Sequence, residues 1–133
     1  MKVLFAQINS APNVPYRGVE WTNIPGLSFQ LPVASLTSGH ALVILNVPRP
    51  YAEGSNYPGL DFAIEVGGNI VADGGFTYID NKPESFARQP TTLVVRVELR
   101  GQQQLVNAQW RAVRPSNIGH IDTFASLSAI LTE

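Results

Sequence analysis

The sequence predicts an all-β protein of sandwich or barrel type, and three features of its 133 residues support this prediction. Short runs alternate apolar and polar side chains with a period of two, which is typical of half-buried antiparallel strands. Glycine, asparagine and proline separate these runs at short intervals and suit tight hairpin turns. No segment of helical length repeats apolar residues at the i, i+3, i+4 and i+7 spacing.

The individual strands follow from this alternation in chain order. The N-terminal run from Lys2 to Ala6 is too short for the apolar region of a secretory signal and favours a first β-strand. Residues 27–31 and 95–99 alternate cleanly. Residues 106–112 place Val106, Ala108, Trp110 and Ala112 on one face of a further strand.

Two strands depart from simple alternation. Residues 41–47 are almost continuously apolar, so we expect both faces of this strand to be covered. Residues 124–131 mix small and apolar side chains, which fits a core strand and a subunit contact equally well. Between the strands, turns are predicted at Pro25-Gly26, Gly67-Gly68-Asn69 and Asp73-Gly74-Gly75, among other positions.

The composition excludes several classes of protein. With 44 % hydrophobic and 14 % charged residues the chain is globular, and its few charges hint at surface covered by other subunits. A net charge of -1 disfavours nucleic-acid binding, and no stretch is long enough to insert into a membrane. The absence of cysteine and the presence of only two histidines disfavour a zinc site. No catalytic motif of a known hydrolase or nucleotide-binding enzyme is present.

Some polar and aromatic residues are candidates for a binding site. His120 and Asp122 fall on one side of an extended segment, where they form either a pocket pair or, as we prefer, a local hydrogen bond that shapes a loop. Asp61 and Glu65 share a strand face and are interpreted as outward residues rather than a glycosidase pair. The tyrosines and arginines suit sugars, because rings pack on pyranose C–H faces and guanidinium groups donate to hydroxyls. These residues are Tyr51, Tyr57, Tyr78, Arg88 and Arg114.

Several blocks of the sequence resemble the N-terminal domain of the Burkholderia superlectins, a bacterial family. They are residues 46–59, 71–78, 83–88, 109–114 and 120–130. The likeness is looser between about Asn13 and Ser38. It implies a jelly-roll β-sandwich of the tumour-necrosis-factor-like type, formed by one domain over residues 1–133, which assembles as a homotrimer.

The resemblance also implies a lectin and not an enzyme. Such a lectin binds fucosylated glycans, or related monosaccharides of cell surfaces, in pockets between subunits without a metal or other cofactor. Carried over by position, the pocket is lined by Tyr51, Thr77, Tyr78, Ser85, Arg88 and Arg114, drawn from two subunits. In this interpretation the arginines donate to sugar oxygens, the tyrosines supply ring surface, and the serine and threonine orient the sugar. His120, Asp122 and Thr123 match a segment that reaches the next sugar of an oligosaccharide.

Two positions depart from the family pattern. Asp61 stands where the family has a pocket tyrosine, and Phe86 stands where it has a threonine. Asp61 can accept hydrogen bonds from sugar hydroxyls or pair with Arg88 or Arg114. Phe86 can pack on the sugar or crowd it. Superlectins continue into a second, calcium-dependent lectin domain, whereas this chain ends at Glu133, so calcium is not implied.

Two other functions remain open at this point. The first is a trimeric interaction or structural module of the tumour-necrosis-factor or C1q type, in which the altered pocket binds no sugar. The second is a glycosidase, which would need two carboxylates flanking one pocket. A glycan-binding assay on the wild type and on Arg114→Ala discriminates between the first alternative and a lectin.

Overall fold

The described part of the chain is built entirely from β-strands and loops. The computed structural model describes residues 2–34 and 39–132, and none of these residues forms a helix that could cross a membrane. The strands are β1 (Lys2–Ile8), β2 (Asn13–Pro15), β3 (Thr22–Leu31), β4 (His40–Val47), β5 (Pro50–Glu53), β6 (Gly59–Val66), β7 (Asn69–Thr77), β8 (Thr91–Glu98), β9 (Gln104–Ala112), β10 (Ile118–Ile121) and β11 (Ala125–Thr132).

Two antiparallel sheets form the sandwich. One four-stranded sheet has the order β1-β11-β4-β8, and the other has the order β3-β9-β6-β7. A three-stranded sheet of order β2-β10-β5 contacts β6 and β9. The all-β class predicted from the alternation is therefore confirmed, as is a strand at the N-terminus.

The core lies between the inner faces of the two large sheets. Phe62 of β6 lies opposite Trp110 of β9, and their ring centroids are 6.3 Å apart. From the facing sheet, Leu45 and Leu127 complete this layer, and all four side chains are buried. Burial of each such side chain stabilises the fold by about 1.5–3 kcal/mol. The predicted alternation of residues 106–112 is confirmed, since its four apolar members are all buried.

Among the predicted turns, one is a regular two-residue hairpin and two instead lie within strands. Gly67 and Gly68, with φ of 59° and 90°, form the predicted two-residue hairpin between β6 and β7. Pro25-Gly26 instead lies within β3, where the pairing register with β9 shifts. Residues 73–75 lie within β7. Glycine is required at position 75 because a Cβ there would collide with the backbone of Leu60 and Asp61.

The outer face of the β1-β11-β4-β8 sheet is open and carries exposed apolar side chains among polar ones. The cross-strand pairs Phe5–Ser128, Ser128–Ile44 and Ile44–Val94 form one row across this face. Phe5 is 61 % exposed and Val94 is 55 % exposed. The prediction that both faces of residues 41–47 are covered is wrong for the single chain. Period-two geometry sends Leu42 and Ile44 outward, and no described residue covers them fully.

The close approach at Gly75 gives a test of the fold. Gly75→Ala is expected to destabilise the protein by about 1–3 kcal/mol, because the added methyl meets strand backbone that cannot yield. Gly101→Ala is the matched control, since no atom lies within 4 Å of the added carbon, and its effect should stay within about 0.5 kcal/mol. Urea unfolding measures both free energies, and equal stability of the two variants would contradict the close packing of β7 against β6.

Candidate functional site

Four of the predicted pocket residues form one stacked cluster, which we call the Arg88 cluster: Tyr51, Arg88, His120 and Asp122. Pairing of β5 with β10 places Tyr51 directly opposite His120. Their rings stack at a centroid distance of 4.6 Å with planes 11° apart. The Arg88 guanidinium lies over the other side of the tyrosine ring, 3.8 Å from its centroid. Tyr51 is thus held between an imidazole and a cation.

Backbone hydrogen bonds bring the loops of the Arg88 cluster to β5. The amide of Gln89 donates to the Pro50 carbonyl at 3.1 Å, which fixes the segment carrying Arg88. The amide of Asp122 donates to the Arg49 carbonyl at 3.0 Å, which fixes the residue after β10. The cluster therefore assembles from three segments that are distant in sequence, and its geometry depends on the end of one short strand.

A carboxylate contacts each end of the stack, Asp122 at Arg88 and Glu53 at His120. Nε of Arg88 donates to a carboxylate oxygen of Asp122 at 2.9 Å, and an Nη forms an ion pair with the same oxygen at 2.8 Å. At the other end, Nε2 of His120 lies 2.7 Å from a carboxylate oxygen of Glu53. The guanidinium of Arg49 lies 3.8 Å from Asp122. The prediction of a hydrogen bond between His120 and Asp122 is wrong, because the two side chains bond to different partners.

The donors of Arg88 are already partly used within the chain. Besides the two contacts to Asp122, its second Nη donates to the Phe86 carbonyl at 2.7 Å. A guanidinium has five N–H groups, so Arg88 keeps two for a ligand. This arrangement orients Arg88 rigidly, and it offers a ligand fewer donors than a free arginine would.

Tyr78 is buried behind the Arg88 cluster and does not line an open surface. Its side chain is buried, its hydroxyl donates to the Ala87 carbonyl at 2.6 Å, and it accepts from the Ala52 amide at 3.4 Å. Its ring contacts Phe76 and Phe86 at centroid distances of 5.4 and 6.5 Å. Phe86, which the family resemblance did not imply at this position, therefore packs on Tyr78.

A second group of predicted residues lines a separate cavity beside β7. Asp61, Asp73 and Thr77 border this cavity of about 340 Å³, together with Gly74, Gly75 and Phe76. Asp61 pairs neither with Arg88 nor with Arg114. Its partner is Arg111, directly opposite on β9, whose Nε donates to it at 3.1 Å.

Trp21 helps to hold this ion pair in place. The Arg111 guanidinium lies 4.0 Å from the Trp21 ring centroid, and an Nη donates to the Val19 carbonyl at 2.8 Å. The guanidinium is therefore fixed from two sides, and it fixes Asp61 in turn. This strand neighbour neutralises the Asp61 carboxylate.

Asp61 and Glu65 occupy the same outward face of β6, as predicted from their spacing. Glu65 accepts hydrogen bonds from Asn107 at 3.1 Å and from Gln109 at 3.2 Å. Each carboxylate is thus held by a different neighbour on β9. No group of three histidine, aspartate or glutamate side chains suited to a metal ion occurs within residues 2–34 and 39–132.

The other predicted residues lie around these two groups. Ser85 is exposed and borders a cavity of about 430 Å³ formed by residues 80–85. Arg114 is half-buried, and its carbonyl accepts from the Asn117 amide at 2.9 Å. Thr123 is half-buried and follows Asp122 directly. Neither the Ser85 cavity nor the Asp61 cavity is bordered by Arg88 or Arg114.

Sequence reasoning missed Glu53, Arg111 and Trp21. One signal was available for Glu53, because period two places it on the same face of a strand as Tyr51. Its contact with His120 depends on the β5–β10 register, which joins residues that are 67 apart in sequence. Arg111 and Asp61 are 50 residues apart and meet through the β6–β9 register. Pairings of this range leave no local pattern.

An antiparallel β-sandwich that gathers aromatic, guanidinium and carboxylate groups at its surface is the kind of protein found among lectin-type domains. This chain belongs to the family described as the Bc2l-C N-terminal domain, whose model matches residues 11–130. The match confirms the family predicted from the sequence blocks, and that family is a lectin-type domain family and not an enzyme family.

Two further comparisons give no information about function. No curated protein matches this chain. Among solved structures, the chain is similar to the crystal structure of dimeric latent PorU from Porphyromonas gingivalis, at 8 % identity and a TM-score of 0.49. The alignment covers 94 % of this chain and 13 % of that one. At this TM-score the similarity assigns neither a fold nor a function.

The buried phenol of Tyr78 gives a pH test of the site. Burial raises the pKa of Tyr78 above its ordinary 10.0, although the Ala52 amide and Arg88 partly offset the effect. The unfolded chain then loses this proton first, so the free energy of unfolding should fall as the pH rises above 10.0. Tyr78→Phe should remove part of that decline, and Tyr16→Phe, at an exposed ring, should retain it. Urea unfolding between neutral pH and about pH 11 measures the slopes; parallel slopes for both variants would refute the assignment.

Proposed function

We propose that residues 1–133 form one lectin domain that assembles as a homotrimer and binds fucosylated or related glycans in pockets between subunits, without a metal. The observation that carries the proposal is the Arg88 cluster, in which Tyr51 presents its edge between two stacked groups. The edge and phenolic hydroxyl of Tyr51, fixed beside the oriented N–H donors of Arg88, suit the hydroxylated rim of a pyranose.

The strand order supports a jelly-roll topology of the tumour-necrosis-factor-like type. Along the chain, the strands of the two large sheets alternate between sheets, except for the β6–β7 hairpin. Eight strands in two sheets with such crossings are typical of jelly rolls.

The open apolar face supports assembly from identical chains. A soluble protein rarely leaves so many apolar side chains on one sheet face without a partner. Ser126 and Ser128 lie within the face on the central strand β11, and small side chains there allow close approach of another subunit. The chain has only 14 % charged residues, which fits a surface that is partly covered.

The division of the predicted residues into two groups supports a pocket shared between subunits. In the single chain, Tyr51 and Arg88 belong to one group, and Asp61 and Thr77 border another cavity. We propose that each pocket joins the first group of one subunit to the second group of its neighbour, together with Arg114 and Ser85, while the buried Tyr78 packs behind the pocket. His120, Asp122 and Thr123 then face the next sugar of the glycan.

Asp61 is proposed to alter which sugar is preferred. Its carboxylate is held by Arg111 and borders the cavity with Thr77. A carboxylate accepts hydrogen bonds and cannot donate them, so it selects ligands with hydroxyl donors at that position. Fucose and other monosaccharides with adjacent hydroxyls both meet this requirement.

One observation favours the alternative of an interaction module without sugar binding. Three contacts within the chain use donors of Arg88. If the two remaining N–H groups do not reach the pocket, the cluster stabilises only the loops. Glycan binding by the wild type and by Arg114→Ala discriminates between a lectin and an interaction module.

Assembly is tested by placing a charge on the open face. Phe5→Asp is expected to convert the trimer to monomer, because the carboxylate would be buried without a partner. Val19→Asp is the control, since Val19 is 82 % exposed and lies outside the face. Sedimentation equilibrium should give the trimer mass for the wild type and for the control. A monomeric wild type would overturn the proposed assembly.

Glycan binding is tested by removing Arg114. Arg114→Ala should weaken binding of methyl α-L-fucoside at least tenfold while leaving the trimer intact, because a charged donor to the sugar is lost. Arg100→Ala, at an exposed arginine in the loop after β8 that borders a different cavity beside Gly67, is the matched control. Binding to single sites is measured by calorimetry, and avidity from several sites per trimer is measured on a glycan array. Equal binding by both variants would refute the role of Arg114, and no binding by the wild type to any glycan would favour the alternative function.

A further inference from the structure

We propose that Glu53 is a positioning residue for the glycan site, which acts by fixing the imidazole of His120 beneath Tyr51. This inference rests on the proposed function and names a residue that the proposed pocket does not include. Among the described residues, Glu53 has no hydrogen bond or ion pair with Arg88 or Tyr51. Its described side-chain contact is the 2.7 Å approach to Nε2 of His120.

The contact determines which nitrogen of His120 carries the proton. An ionised carboxylate only accepts hydrogen bonds, so Nε2 of His120 must be the protonated nitrogen that donates to Glu53. In the neutral ring, Nδ1 is then left as an acceptor. No described residue donates to this Nδ1, so it remains available to a hydroxyl of a bound sugar.

The same contact fixes the position of Tyr51. An imidazole anchored through Nε2 cannot rotate away from the tyrosine ring, with which it is stacked at 4.6 Å and 11°. Arg88, held by Asp122, limits the tyrosine from the other side. Tyr51 therefore keeps one orientation without a ligand, and the entropy cost of ordering it does not reduce the affinity.

Register makes this role specific to Glu53. On β5, Tyr51 pairs with His120, and Glu53 pairs with Ile118 on the same neighbouring strand. Glu53 is thus the diagonal neighbour of His120, at a separation that long side chains bridge. The side chain of Ala52, between Tyr51 and Glu53, points to the opposite face and is buried, and Gly119, between Ile118 and His120, has no side chain.

The test compares variants of this one carboxylate. Glu53→Ala should weaken binding of methyl α-L-fucoside, or of the tightest binder in a panel with methyl galactoside and methyl mannoside, roughly two- to tenfold. Glu53→Gln keeps an accepting oxygen at the same place and should retain most of the affinity. Glu65→Ala is the matched control, because it removes a carboxylate that accepts hydrogen bonds from Asn107 and Gln109 and lies outside the proposed pocket. It should bind as the wild type does.

Nuclear magnetic resonance detects the Nε2–H proton of His120, and a contact that only stabilised the fold would not change this signal. In the wild type and in Glu53→Gln, the Nε2–H proton of His120 should exchange slowly with water and give a resolved signal. In Glu53→Ala this signal should be lost. The chain has two histidines. Comparison with His40→Asn shows which signal belongs to His40. In the wild type and the Glu53 variants, that His40 signal serves as the internal reference.

The outcomes separate the positioning role from the proposed function. Affinity of Glu53→Ala equal to that of Glu65→Ala, or an unchanged Nε2–H signal in Glu53→Ala, would overturn the positioning role. If the wild type binds no sugar of the panel, the proposed function fails, and the Nε2–H signal still decides whether Glu53 holds His120. Loss of affinity and of signal in Glu53→Ala, with both retained in Glu53→Gln, supports the inference.

Discussion

The packing of two sheets face to face is the constraint on which this structure depends. Each strand that gives Phe62, Trp110, Leu45 or Leu127 to the core must send its alternate side chains outward. On β6 and β9 those outward side chains are polar and bond to one another. On β1, β4 and β8 many of them are apolar and remain open. One geometric rule therefore generates both a hydrogen-bonded face and a face suited to contact with other subunits.

The candidate site depends on the same pairing at the end of the sandwich. The short strands β5 and β10 bring a tyrosine and a histidine into register, and the loop carrying Arg88 is fixed to β5 through a backbone hydrogen bond. Sites built on strands are held more firmly than sites on loops alone. The second group of pocket residues lies on β6 and β7, and the ion pair between Asp61 and Arg111 stabilises it.

Local patterns predicted the strands well, because alternation is a property of neighbouring residues. They failed at Asp73-Gly74-Gly75, where glycine relieves a collision with another strand and does not make a turn. They also failed for the second face of β4, since alternation cannot say what covers an apolar face. The sequence blocks correctly predicted the family. The partners of Asp61, Asp122 and His120 were not predictable, because each contact joins residues at least 34 apart through strand register.

The pairing of charges in the Arg88 cluster has a consequence for electrostatics. Arg49 and Arg88 supply two cations, and Asp122 and Glu53 supply two anions, within one stack of contacts. Opposite charges so closely balanced produce little field beyond the cluster, whether or not added salt screens them. A sugar bearing a carboxylate or sulfate gains no long-range attraction here over a neutral one. Discrimination then falls to the shape of the ligand and the direction of its hydroxyls.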